Sequence, residues 1–132
     1  MNAAIQRAQE TLPQFIDALQ YPESPDLYYS VKVRFPYGSA GAAEHLWVGN
    51  LAYSGGRFTG LMGNEPVYID SVQMGDSLVV DPKDVTDWMI VDGEQFYGGF
   101  SIYVLRASMT DSEREQFDTE SGLVFGDEPR LP

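Results

Sequence analysis

The chain has 132 residues and a mass of 14.7 kDa, room for one domain whose core needs no covalent staples. It contains no cysteine and one histidine, which excludes disulfides, thiolate metal sites and a cysteine nucleophile. Eight Lys and Arg against 20 Asp and Glu give a net charge of −12, which weighs against nucleic acid or an anionic membrane as a direct partner.

The first predicted element is an amphipathic helix over residues 1–20. Ile5, Ala8, Leu12, Phe15, Ile16 and Leu19 recur at spacings of three and four and so share one face. Asn2 suits the N-cap, and Pro13, which lacks an N–H, predicts a kink or break. Tyr21-Pro22-Glu23-Ser24-Pro25 ends the helix.

An antiparallel sheet is expected over residues 27–106. In Tyr29–Phe35, Tyr29, Val31, Val33 and Phe35 alternate with Ser30, Lys32 and Arg34, giving one buried and one wet face. A second strand covers about Glu44–Tyr53, Ser54-Gly55-Gly56 is a tight turn, and Arg57–Met62 is a third strand. Val67–Ile69 reads as short extended structure and Ser77–Val80 as a further strand. Trp88–Val91 and Gln95–Leu105 read as hairpin arms joined at Asp92-Gly93, with Gly98-Gly99 marking a bulge or a close backbone approach. Many short strands with turns about ten residues apart predict a curled, partly open, barrel-like meander.

A helix over 110–120 has a clear start: Thr110-Asp111-Ser112-Glu113 is a capping box, and Gly122 is the stop. Residues 121–132 form an acidic tail in which Leu123, Val124 and Phe125 could dock or fray. The fold expected is α+β: an N-terminal helix on a curled antiparallel sheet with a short C-terminal helix at its edge, all in one domain.

The charge is unevenly spread. Residues 1–106 hold 13 acids and 6 bases, net −7, and residues 107–132 hold 7 acids and 2 bases, net −5. The stretch from Asp70 to Glu94 has seven acids against Lys83 alone. Such a surface either keeps the protein soluble or steers a basic partner onto it. Under the second reading Asp76, Asp81, Asp84, Asp87, Glu94, Glu113 and Glu115 are the contact candidates.

The standard catalytic templates are missing. There is no Gly-x-Ser-x-Gly elbow to accompany His45, no Gly-Lys phosphate loop, and too few His and Cys for a usual zinc site. Asp81, Asp84 and Asp87 have the wrong spacing for a calcium loop. No metal and no cofactor is expected. Glu44-His45-Leu46-Trp47 is the most unusual run: His45 reads as a structural histidine beside Trp47, or, given a substrate, as a general base. Asn64 and Glu65 in Gly63-Asn64-Glu65-Pro66 read as turn residues, or as side chains presented to a ligand. Asp87-Trp88 reads as a backbone-capping acid beside a core ring, or as part of a pocket lining.

Taken in order, Ala8…Thr11-Leu12…Phe15, Val31-Lys32-Val33, Glu44-His45-Leu46-Trp47, Phe58-Thr59-Gly60, Gly63-Asn64-Glu65-Pro66, Met74-Gly75-Asp76, Asp87-Trp88-Met89 and Gly98-Gly99-Phe100 make a long pattern. It resembles the YegJ-like bacterial domain-of-unknown-function family numbered 2314. The resemblance covers most of residues 1–106 and implies a small domain, found alone or attached to others, without a known catalytic set.

The expected function is therefore a non-enzymatic acidic interaction domain. Its most concrete form is an immunity- or antitoxin-like protein that occludes a basic toxin with acids of Asp70–Glu94 or Glu113–Glu120. The alternative is a small-ligand-binding or hydrolytic domain with a polar pocket around Glu44, His45, Asn64, Glu65, Asp87 and Trp88. No basic-then-apolar leader pattern opens the chain and no apolar run is long enough to span a membrane, so a cytoplasmic location is expected.

Overall fold

The computed structural model describes residues 2–132; Met1, the first residue of the predicted helix, lies outside the described residues. Helix α1 (Asn2–Gln20) buries Ala4, Ala8, Thr11, Leu12 and Phe15, the stripe its spacing predicts. Two local expectations fail. Asn2 is already helical rather than flanking the helix, and α1 passes through Pro13 without a break. The Pro13 ring faces water, opposite the buried stripe. Apolar burial along that stripe outweighs the cost of an internal proline, about 3 kcal/mol.

Six strands follow: β1 (Tyr28–Pro36), β2 (Ala43–Ser54), β3 (Arg57–Met62), β4 (Ser77–Val80), β5 (Val85–Asp92) and β6 (Gln95–Gly98). They form one antiparallel sheet in the order β4-β3-β2-β1-β5-β6, open rather than closed into a barrel. The sheet is nevertheless strongly curled. β4 and β5 stand four strand steps apart, roughly 19 Å in a flat sheet. Yet only Asp81 to Asp84 joins them, and Pro82–Asp84 is a 3-10 turn rising about 2 Å per residue. The two ends therefore bend toward each other, and α1 fills the trough. Gln9 of α1 holds the link by donating to the carbonyls of Pro82 and Val85.

Phe15 shows how the trough is filled. Its ring meets Tyr29 of β1, Phe58 of β3 and Trp88 of β5, at centroid distances of 6.0, 6.1 and 5.3 Å. Burying one such ring contributes about 1.5–3 kcal/mol. Val31, Val48, Val80, Val85 and Ile90 complete the core.

The expected second hairpin arm, Gln95–Leu105, is corrected. β6 ends at Gly98, and Phe100–Ala107 is a helix, α2. Ile102-Tyr103-Val104 looks like strand by residue type, while the helix start has no side-chain cap because Gly99 occupies it. Gly98 and Gly99 both lie in the left-handed region, at φ 74° and 73°. A Cβ on Gly98 would sit 2.3 Å from the Trp88 carbonyl oxygen, so the close-approach reading of this pair holds. Val67–Ile69 is also not a strand: residues 63–76 form one long irregular connection.

Helix α3 (Asp111–Ser121) begins with the predicted capping box at Thr110 and ends at left-handed Gly122. The tail is docked. Val124 N–H donates to Glu94 O, Gly98 N–H donates to Arg130 O, and Phe125 packs among Phe96, Tyr103 and Phe117.

Candidate functional site

The strand register brings a set of polar side chains to the middle of the sheet. On β1, Lys32 stands opposite Trp47 of β2 on one side and Asp87 of β5 on the other. The β1–β5 register slips here, so Thr86 is left as the extra residue of a bulge. Gly99 then turns the chain so that Ser101, on the first turn of α2, faces Asp87.

Asp87 is fully buried. Its Oδ1 accepts from the backbone N–H groups of Trp88 and Phe100, and its Oδ2 accepts from the N–H and the hydroxyl of Ser101 (2.9 and 2.5 Å). This carboxylate supplies the cap that Gly99 lacks. It satisfies two N–H groups at the start of α2 and sits at the positive end of that helix. Burial pushes its carboxyl above the ordinary range, against the pull of the four hydrogen bonds.

The Ser101 hydroxyl in turn accepts from Lys32 Nζ at 3.3 Å. The Lys32 ammonium lies over the Trp47 ring, 5.8 Å from its centroid. Burial lowers the Lys32 pKa, and the Asp87 charge opposes that shift. His45, opposite Arg34 on the same pair of strands, is exposed, and its Nδ1 is 3.1 Å from Thr86 Oγ1. Burial of the ring's inner edge lowers its pKa, with Lys32 and Arg34 adding to the effect. Lys32, His45, Thr86 and Ser101 line a pocket of about 280 Å3 together with Asn2 and Ile5 of α1.

The six side chains expected to form a polar pocket do not converge. Glu44 accepts from the N–H groups of Val67, Tyr68 and Ile69 and pins the long connection. Partial burial would raise its carboxyl, but the three N–H groups together hold it below the usual range. Asn64 Oδ1 accepts from the Trp47 N–H at 2.8 Å and its Nδ2 donates to the Gly63 carbonyl at 3.3 Å, tying its own turn to β2. Glu65 is exposed. Trp88 is a core ring whose Nε1 donates to Thr11 Oγ1. Apart from chain neighbours, His45 and Asp87 alone are linked, through Thr86, Lys32 and Ser101. Lys32 was expected on the wet face and Ser101 on a strand. Neither position carried a signal, because the partner of each is distant in sequence.

The seven acids expected on a docking surface also divide. Asp87 is corrected: it has no exposed surface and cannot touch a partner. Asp81 caps the 3-10 turn and pairs with Arg57 at 2.9 Å, Asp76 accepts from the Gln73 N–H, and Glu113 closes the capping box. Asp84, Glu94 and Glu115 face solvent.

Residues 1–125 match the family described as "Uncharacterized protein conserved in bacteria (DUF2314)". The chain belongs to the DUF2314 family. The match reaches past residue 106 and takes in α3 and the start of the tail. This DUF2314 chain is 34% identical over 133 residues to a putative ankyrin repeat protein of Neisseria meningitidis serogroup B, across 96% of this chain and 53% of that protein. It is 28% identical over 116 residues to the uncharacterized protein YegJ of Escherichia coli, across 88% of this chain and 73% of that protein. The chain thus spans about half the length of the Neisseria relative. No solved structure matches it. Among the described residues of this DUF2314 chain, no helix is long and apolar enough to cross a membrane.

Proposed function

We infer that this DUF2314 domain is a non-enzymatic module that binds a basic protein partner through an acidic ridge. One observation carries the reading: the docked tail lies beside the end of the other acidic stretch, which the sequence keeps apart from it. The Val124 N–H bond to Glu94 O sets the β5–β6 turn, with Asp92 and Glu94, beside the tail that bears Asp127 and Glu128. All four acids are exposed. The one base of the tail, Arg130, turns its Nη1 toward the carbonyls of Phe96 and Val124. Elsewhere Arg57, Arg106 and Arg114 are engaged in ion pairs. Much of the net −12 therefore faces water uncompensated, which speeds encounter with a basic surface.

In its most concrete form the partner is a basic toxin in the cytoplasm, and the domain works as an immunity- or antitoxin-like protein that covers the basic residues around the toxin's active site. Asp84 and Glu115 are exposed acids outside the group of Asp92, Glu94, Asp127 and Glu128. The printed name of the Neisseria relative, an ankyrin repeat protein, agrees with an interaction role without naming a partner.

The test replaces Asp92, Glu94, Asp127 and Glu128 together by Asn or Gln and compares the variant with the parent in affinity isolation from the native bacterium at low salt. The reading expects a basic protein retained by the parent and lost by the variant, with an association rate that falls steeply as salt is added. Equal retention by both proteins, or a rate indifferent to salt, would sink it.

A further inference from the structure

We propose that the pocket beside Lys32 binds a short-chain organic monocarboxylate, with the Lys32 ammonium as its counter-ion and the His45 ring at its side.

The Lys32 charge is set toward the cavity. Among the described residues it forms no ion pair, and its hydrogen bond to Ser101 is the one it makes to a protein group. Asp87 makes no direct hydrogen bond to it: its oxygens accept from four other donors, and its charge reaches the ammonium across the Ser101 hydroxyl. The Trp47 ring holds the ammonium from another side. At least one Lys32 N–H therefore remains for an acceptor in the pocket. Ile5 supplies an apolar wall, and Asn2 a further polar group. A volume of about 280 Å3 is too large for a lone water and at the lower end for small-molecule sites. A single ammonium pairs with one carboxylate and not with a doubly charged anion.

His45 makes the site responsive to pH. Thr86 Oγ1 lies within hydrogen-bond distance of both His45 Nδ1, at 3.1 Å, and the Lys32 carbonyl oxygen, at 3.4 Å. The neutral imidazole keeps one ring nitrogen as an acceptor able to take a proton. The charges around it are Lys32 and Arg34 from β1 and Asp87 from β5, while α1 and α2 offer the uncharged Asn2, Ile5 and Ser101. Lys32 and Arg34 oppose protonation of the empty site. A carboxylate beside the ring reverses this and recruits a proton to the imidazole. Binding is thus accompanied by proton uptake and strengthens as pH falls through the imidazole range.

His45 is the chain's one histidine, so its proton resonances report the site without assignment ambiguity. The full chain is titrated with pH by NMR at constant ionic strength, with butyrate, with the neutral butyramide, and with inorganic phosphate. Butyrate is expected to raise the His45 pKa by roughly one unit, the scale of an opposite charge a few ångströms away. Butyramide is expected to leave it unmoved, and phosphate to move it less than butyrate. Lys32→Met, with its spectrum showing a folded chain, is expected to lose the butyrate response. No response to butyrate in the parent, an equal response to butyramide, a larger one to phosphate, or a full response in folded Lys32→Met each overturns the proposal. The parent comparison alone decides the matter if Lys32→Met does not fold.

Discussion

Two aromatic clusters hold this molecule, and they do so differently. In the first, Phe15 sits at the centre of Tyr29, Phe58 and Trp88, all buried, where a helix and three strands meet. In the second, Phe125 joins Phe96, Tyr103 and Phe117 under the Arg106 guanidinium, and of these rings only Phe96 is buried. α3 itself buries no residue. It is held by Phe117 and by Arg106, whose Nε and Nη2 grip both oxygens of Asp118 at 2.8 and 2.6 Å. The first cluster is therefore expected to set global stability, and the second to open locally at lower cost. Asp87 is the hinge between them, since it ties β5 of the first region to the start of α2, which leads to the second.

The largest effect is expected from Trp88→Ala, which removes the largest buried ring of the first cluster. A loss of about 3–5 kcal/mol is expected, read as a lowered urea midpoint with an unchanged slope. Asp87→Ala comes next. It leaves the Phe100 and Ser101 N–H groups buried without an acceptor, at about 1–3 kcal/mol each at most, and amide exchange is expected to quicken at the start of α2 while the β1–β2 pairing stays protected. Phe125→Ala is expected to cost roughly 1–2 kcal/mol, less than a fully buried ring, with faster exchange confined to α3 and the tail. Uniform exchange across both regions in this variant would show that the clusters unfold as one.

The smallest effect is one of pH, and its sign separates the regions. The Arg106 hydrogen bond holds the Asp118 carboxyl below the ordinary aspartate value, so this contribution to the α3 attachment is present above that value and lost as pH falls through the folded pKa. Asp87 has the opposite sign. Burial raises its carboxyl above 3.8, so its contribution falls as pH rises from that value through the raised one. Acid below the ordinary aspartate range is thus expected to loosen α3 first and to spare the Asp87 region, measured by amide exchange at each site. Loss of α2 before α3 would reverse the comparison.

The local patterns that the sequence carried were those whose physics is local. The α1 stripe, the alternation of Tyr29 to Phe35, the Asp92-Gly93 turn and the Thr110 capping box all depend on residues within a turn or two of each other. By itself, then, the sequence determined an α+β fold with an antiparallel sheet, membership of a bacterial family and an acidic character. The three-dimensional structure decided everything that joins distant positions. It made residues 100–107 a helix, because the cap comes from Asp87, across the β5–β6 hairpin. It took Asp87 off the surface and put Lys32, His45, Thr86 and Ser101 around one pocket. It set Asp92 and Glu94 beside the acidic tail, because Phe125 found a place among Phe96 and Tyr103. A charge or a hydroxyl has no periodicity to reveal its partner; only the register of β1 with β2 and β5 brings the partners together.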